Sequence, residues 1–96
     1  MEYIHDTTTN LDYESHATGP YGIRVRITRL APNLDYDVAV TIPHDVSMTG
    51  VTDRPGMGTR IVDGATIHHR SSPTLHEAMA WADRLTHQIT SLIIAD

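Results

Sequence analysis

Two stretches of strict alternation constrain this chain more than any other feature. Ile23, Val25 and Ile27 alternate with Arg24, Arg26 and Thr28, and Leu34, Tyr36, Val38, Val40 and Ile42 alternate with Asp35, Asp37, Ala39 and Thr41. Successive side chains of a strand point to opposite faces, so each stretch forms a ribbon with one apolar and one polar face. A helix would scatter the same residues around its circumference. Most of the apolar members are β-branched, which suits a pleated, half-buried surface. Two such ribbons need an apolar cover, and the fold is decided by what supplies it.

The cover lies at the end of the chain. Ser72-Pro73 precedes Thr74-Leu75-His76-Glu77, a capping box in which Thr74 accepts from the backbone and Glu77 reaches back. On a 100° wheel Leu75, Ala78, Met79, Trp81, Ala82, Leu85, Ile89, Leu92 and Ile93 share one arc, with Trp81 and Leu92 at its edge. His76, Glu77, Asp83, Arg84, His87, Gln88 and Ser91 lie opposite, and Ile94 falls outside the arc on that polar side. The pattern predicts an amphipathic helix lying on a sheet.

Leu30-Ala31-Pro32-Asn33 between the ribbons has turn chemistry. A four-residue loop over 30–33 pairs Arg29 with Leu34, Ile27 with Tyr36, Val25 with Val38 and Ile23 with Val40. Arg26 then stands opposite Asp37 on the polar face, with Arg24 diagonal to it. Such a pair contributes roughly 0.2–1 kcal/mol. Pro43 ends the second strand. Residues 44–58 form a long connection with room for a short strand at 47–52. Met57 to Arg70 reads as a second hairpin around Asp63-Gly64. A three-residue loop, Val62 to Gly64, pairs Ile61 with Ala65 and Thr59 with Ile67 and gathers the apolar residues on one face. A two-residue Asp-Gly turn would put Arg60 beside Ile67. Residues 1–20 show no sustained period and read as a flexible N-terminal arm with room for a short extended piece at Tyr3 to His5, and residues 21–96 as a single domain. The expected fold is α+β: an antiparallel sheet of three to four strands with one C-terminal helix on one face, in the order β-β-(β)-β-α.

The order of elements is also that of double-stranded-RNA-binding domains, and Ser72-Pro73-Thr74-Leu75-His76-Glu77-Ala78 resembles the helix entry of HicB-type antitoxins. An RNA-binding domain of that kind requires a basic cluster at the helix start. This helix starts with His76 and Glu77, and the chain has no Lys. No functional residue is carried over from either family.

Composition narrows the function classes. The formal net charge is −5, from 12 acidic residues against 7 basic ones. All the basic residues are Arg and most of the acids are Asp, a usage that fits a GC-rich genome such as that of an actinobacterium or its phages. Net negative charge works against non-specific binding to nucleic acid. The absence of Cys excludes disulfides, thiolate metal sites and cysteine nucleophiles. No apolar run is long enough to cross a membrane as a helix, and the first residues lack the form of a signal peptide. A cytoplasmic protein without a membrane role is expected.

Seven His raise the question of metal, but no ligand cluster appears; Asp83 and His87, four apart on the helix, could chelate or simply pair. His68 and His69 are neighbours on a strand and point to opposite faces. His76 and His87 stand roughly 16 Å apart along the helix. No nucleophile elbow, P-loop or G-x-G-x-x-G occurs. We therefore expect no catalytic, cofactor-binding or metal residues.

What remains is binding. Trp81 at the margin of the helix stripe, Ile94 beyond it, and Arg24 and Arg26 on the polar sheet face are the candidate partner-contacting residues. A short chain gains by burying surface in a homodimer, through the helix or an unpaired edge strand. The expected function is a small non-enzymatic protein-binding or regulatory module; a phage-encoded inhibitor of a host protein would fit its size and acidity. The alternative is a nucleic-acid-binding accessory protein that uses the Arg-bearing face.

Overall fold

The structure is a computed structural model that describes residues 1–43 and 57–95, and the side chains of residues 1–43 and 58–91. The strands are β1 (Ile4–His5), β2 (Tyr13–Thr18), β3 (Arg24–Arg29), β4 (Tyr36–Ile42), β5 (Met57–Val62) and β6 (Ala65–Ser72). One helix, α1 (Leu75–Ala95), follows them. The strands form one antiparallel sheet in the order β1-β2-β3-β4-β6-β5, and α1 packs on one of its faces. The α+β class and the single covering helix are as expected; the sheet has six strands rather than three to four.

The core forms where the alternation places it. Ile23, Val25 and Ile27 from the β3 side and Val38, Val40 and Ile42 from β4 meet Ala78, Trp81, Ala82, Leu85 and Ile89 of α1, all buried. Fully burying one such aliphatic side chain contributes roughly 1.5–3 kcal/mol. The start of α1 carries the Thr74 half of the expected capping box, with the Glu77 backbone N–H donating to Thr74 Oγ1 at 3.1 Å.

Residues 1–20 differ most from expectation at β2, a full strand in place of an arm, whereas β1 falls in the extended piece expected at Tyr3 to His5. β2 does alternate, but its inward residues are Tyr13, Ser15 and Ala17. Only one of the three is a large apolar residue, so the period is invisible to a hydrophobic count. Gly19-Pro20-Tyr21-Gly22 turns the chain from β2 into β3. Tyr21 (φ 60°) and Gly22 (φ 76°) are both left-handed there, and the Gly19 N–H donates to the Ile23 carbonyl at 2.7 Å. Tyr3 anchors β1 to the helix through its hydroxyl, which donates to Asp83 at 2.9 Å. Burial, together with that carboxylate, pushes the Tyr3 hydroxyl well above the ordinary tyrosine range.

Two registers also differ. β3 pairs with β4 as Val25 with Val40 and Ile27 with Val38, so the connection is two residues longer than a 30–33 loop. A shift of two preserves the faces but changes every partner. Arg26 stands opposite Ala39, not Asp37. In the second hairpin Val62 pairs with Ala65, leaving a two-residue Asp63-Gly64 turn with both residues left-handed (φ 52° and 81°). That is the turn whose twist suits a hairpin. It opposes Arg60 to Ile67 and sends Ile61 and Ile67 to different faces of the sheet. The preferred turn prevails because β5 is an edge strand, where apolar pairing gains little: Ile61 remains 73% exposed.

Trp81, placed by sequence at the margin of the helix stripe, is in the core with 9% exposure, so it offers almost no contact surface. The Ile94 side chain and the strand considered for 47–52 lie outside the described residues.

Candidate functional site

With α1 on one side, the other face of the sheet is left open by the described residues, and the registers arrange its side chains in three cross-strand rows. The first row runs Asp6, Glu14, Thr28, Asp37, Ser71. The second is Ile4, His16, Arg26, Ala39, His69, Gly58. The third is Thr18, Arg24, Thr41, Ile67, Arg60. Charge is therefore graded along the strands, acidic in the first row, mixed Arg and His in the second and basic in the third. The outer rows are separated by roughly 14 Å, four residues at strand rise.

The acids of the first row are partly satisfied internally. Glu14 accepts from Arg26 at 3.3 and 3.4 Å and lies 2.6 Å from His16 Nε2. The Arg26 guanidinium, then the His16 contact, hold the Glu14 carboxyl below its ordinary range. Asp37 accepts from the Ser71 hydroxyl at 3.0 Å. Asp6 accepts from the hydroxyl and backbone N–H of Thr8, which lower its carboxyl. Asp6, Glu14 and His16 place one donor atom each within 4.8 Å of one another. Divalent ions use such donors, but Glu14 is already neutralised by Arg26. Sequence reading missed this group because it assigned Asp6 and Glu14 to an arm.

The basic residues of the third row have no such partners. Among the described residues, neither Arg24 nor Arg60 makes an ion pair. Between the rows lies a hollow of roughly 270 Å3 bordered by Arg26, Thr28, Asp37, Ala39, Arg60 and His69. Two small residues shape it. Ala39 forms the floor between Arg26 and His69, and Gly58 lets the His69 ring lie against β5, where an added Cβ would come within 2.4 Å of the ring.

The helix-side face is built differently. His5 stacks on Tyr13 at 4.8 Å, Tyr13 meets Tyr36 edge-on at 5.6 Å, and the Arg29 guanidinium lies 4.4 Å over Tyr36. Asp12 holds Arg29 at 2.6 Å. His68 faces the same side, buried, with Thr59 Oγ1 2.9 Å from its Nδ1, while His69 is exposed on the open face. The opposite orientation of these two neighbours is as expected.

The sheet ends unequally. β1 is two residues long. β5 has six residues and pairs with β6 on one side; its other edge carries no strand among the described residues, and Ile61 and Val62 are exposed there. Of the residues singled out by sequence, Arg24 and Arg26 stand side by side in the open face, and Trp81 is apart from them in the core. No helix among the described residues is long and apolar enough to cross a membrane. No protein-family model matches the chain, and no curated protein or solved structure is significantly similar to it.

Proposed function

We propose that the chain is a small non-enzymatic protein-binding module of regulatory type, and that it takes a strand of its partner onto the outer edge of β5. The observation that carries this reading is that no described residue pairs with the outer edge of β5. Natural sheets blunt an outer strand with Pro, charged side chains, a bulge or short length. β5 is six residues long, contains no Pro and a single charge, Arg60, and exposes Ile61 at 73% and Val62 at 46%. Backbone pairing would provide affinity, and side chains above and below the strand would provide selectivity. Arg60 on the open side of β5 favours a partner strand with an acidic residue opposite it. The aromatic residues of the strands, Tyr13 and Tyr36, face the helix, and Trp81 is buried. Base stacking on the open face therefore lacks its platform, which argues against the nucleic-acid alternative.

A test uses a synthetic peptide that alternates Val and Glu, titrated into labelled protein. The expected result is chemical-shift change and slowed amide exchange along β5, both abolished by Ile61→Pro. Shifts that avoid β5 would refute the edge reading. Binding of an oligonucleotide that weakens steeply with salt and requires Arg24 would instead support the nucleic-acid alternative.

A further inference from the structure

We infer that the open face of the sheet is the contact surface of a homodimer, in which two sheets lie back to back with their helices outermost. This rests on the reading of the chain as a protein-contact module, but it uses a different surface from the β5 edge.

A twofold axis lying between the two faces and perpendicular to the strands keeps each strand over its own copy and reverses the strand direction. The first row of one chain then lies over the third row of the other. Asp6, Glu14 and Asp37 belong to the first row, and Arg24 and Arg60 to the third. Acidic meets basic twice, and Arg24, which makes no ion pair among the described residues, gains Glu14 and Asp37 of the second copy on the strands to either side. Asp37 comes over Thr41 of the second copy, with that copy's Arg24 on the adjacent strand. An axis parallel to the strands would instead set acid on acid. The middle row falls on itself, and there Arg26 is already countered by Glu14 of its own chain at 3.3 Å. The hollow above Ala39 supplies space for side chains of the second copy.

Size is compatible with a weak dimer. Six strands span roughly 24 Å, and the three rows with their margins span about 20 Å along the strands. The two faces together then bury on the order of 1,000 Å2, the lower end for a specific interface. Assembly is accordingly expected at micromolar concentration and is expected to weaken with salt.

Sedimentation equilibrium of Asp37→Arg, Arg24→Asp and their equimolar mixture tests this. Wild-type protein in low salt should approach twice the 10.7 kDa chain mass. Each variant alone sets like charges together and should remain monomeric, with circular dichroism showing that it is folded. The mixture should regain the dimer mass, because one chain then supplies arginines to both rows and the other supplies aspartates. Ile61→Pro should leave the mass unchanged, which separates this inference from the β5 reading. A wild type that is monomeric at high micromolar concentration, single variants that still dimerise, or a mixture of folded variants that stays monomeric would each overturn it.

Discussion

Thr86 offers a sharp test of how this core is assembled, because its hydroxyl is buried without a hydrogen-bond partner among the described residues. The residue is 5% exposed on the sheet side of α1, and its methyl lies 3.1 Å from where a Cβ on Gly19 would stand. A helical threonine can return its hydroxyl to the carbonyl four residues back. Thr90 does so onto Thr86, at 2.8 Å, but Thr86 makes no such bond. Burying an unpaired hydroxyl costs roughly 1–3 kcal/mol. Thr86→Val keeps the branched shape and a similar helix propensity, and exchanges the hydroxyl for a methyl. The methyl is slightly larger, so part of the gain is lost to crowding. We expect a net stabilisation of about 1–2 kcal/mol, which in a domain of this size raises the melting temperature by roughly 4–16 °C. Thr86→Ser retains the hydroxyl, removes the methyl that packs at Gly19, and should destabilise by about 1 kcal/mol. Urea unfolding followed by the emission of Trp81, the single tryptophan, gives both midpoints in one assay. The order of stability should be Val, then Thr, then Ser. A valine variant less stable than wild type would refute the reasoning, since it would show the hydroxyl to be satisfied in solution.

Two further outcomes are expected. Leu85→Ala, in the middle of the buried helix stripe, should lose about 2–5 kcal/mol, read as a lower urea midpoint at unchanged slope. Because the Glu14 carboxyl is lowered in the folded protein, its stabilisation is complete above the ordinary carboxyl range and is lost as pH falls through the lowered value. In Arg26→Ala the Glu14 titration followed by NMR should move upward toward the ordinary range, and this acid-side contribution should shrink. An unmoved Glu14 would mean that Arg26 does not hold it.

How much of this was readable in advance differs by element, for physical reasons. β3, β4 and α1 carry their apolar residues at the period of their structure, so pattern alone locates them. β2 pairs along its whole length with β3, yet it turns Ser15 and Ala17 inward, and hydrophobic pattern does not register residues of that kind. The Asp63-Gly64 turn was legible as a turn, but its length was set by backbone twist rather than by the apolar pairing used to choose it. Arg26 was legible as an open-face residue, whereas its partner Glu14 was hidden in the unseen strand. The rows of the open face depend on the registers of all six strands together, and two of the registers anticipated from sequence were wrong, so the charge gradient was beyond sequence reading.

The order of elements along the chain has a consequence for synthesis. Every described strand precedes α1, so on the ribosome the sheet emerges before this helix can cover it. Neighbouring strands β2, β3 and β4 can pair at once, but Ile23, Val25, Ile27, Val38, Val40 and Ile42 then form an uncovered apolar sheet until Leu75 and beyond have left the exit tunnel. The tie between Tyr3 and Asp83, separated by 80 positions, can close only after that. The nascent chain is thus most vulnerable to intermolecular pairing late in translation, when its sheet is formed and its helix is still missing. Slow decoding in the helix segment would prolong that interval, whereas a chaperone able to hold an apolar sheet face would bridge it.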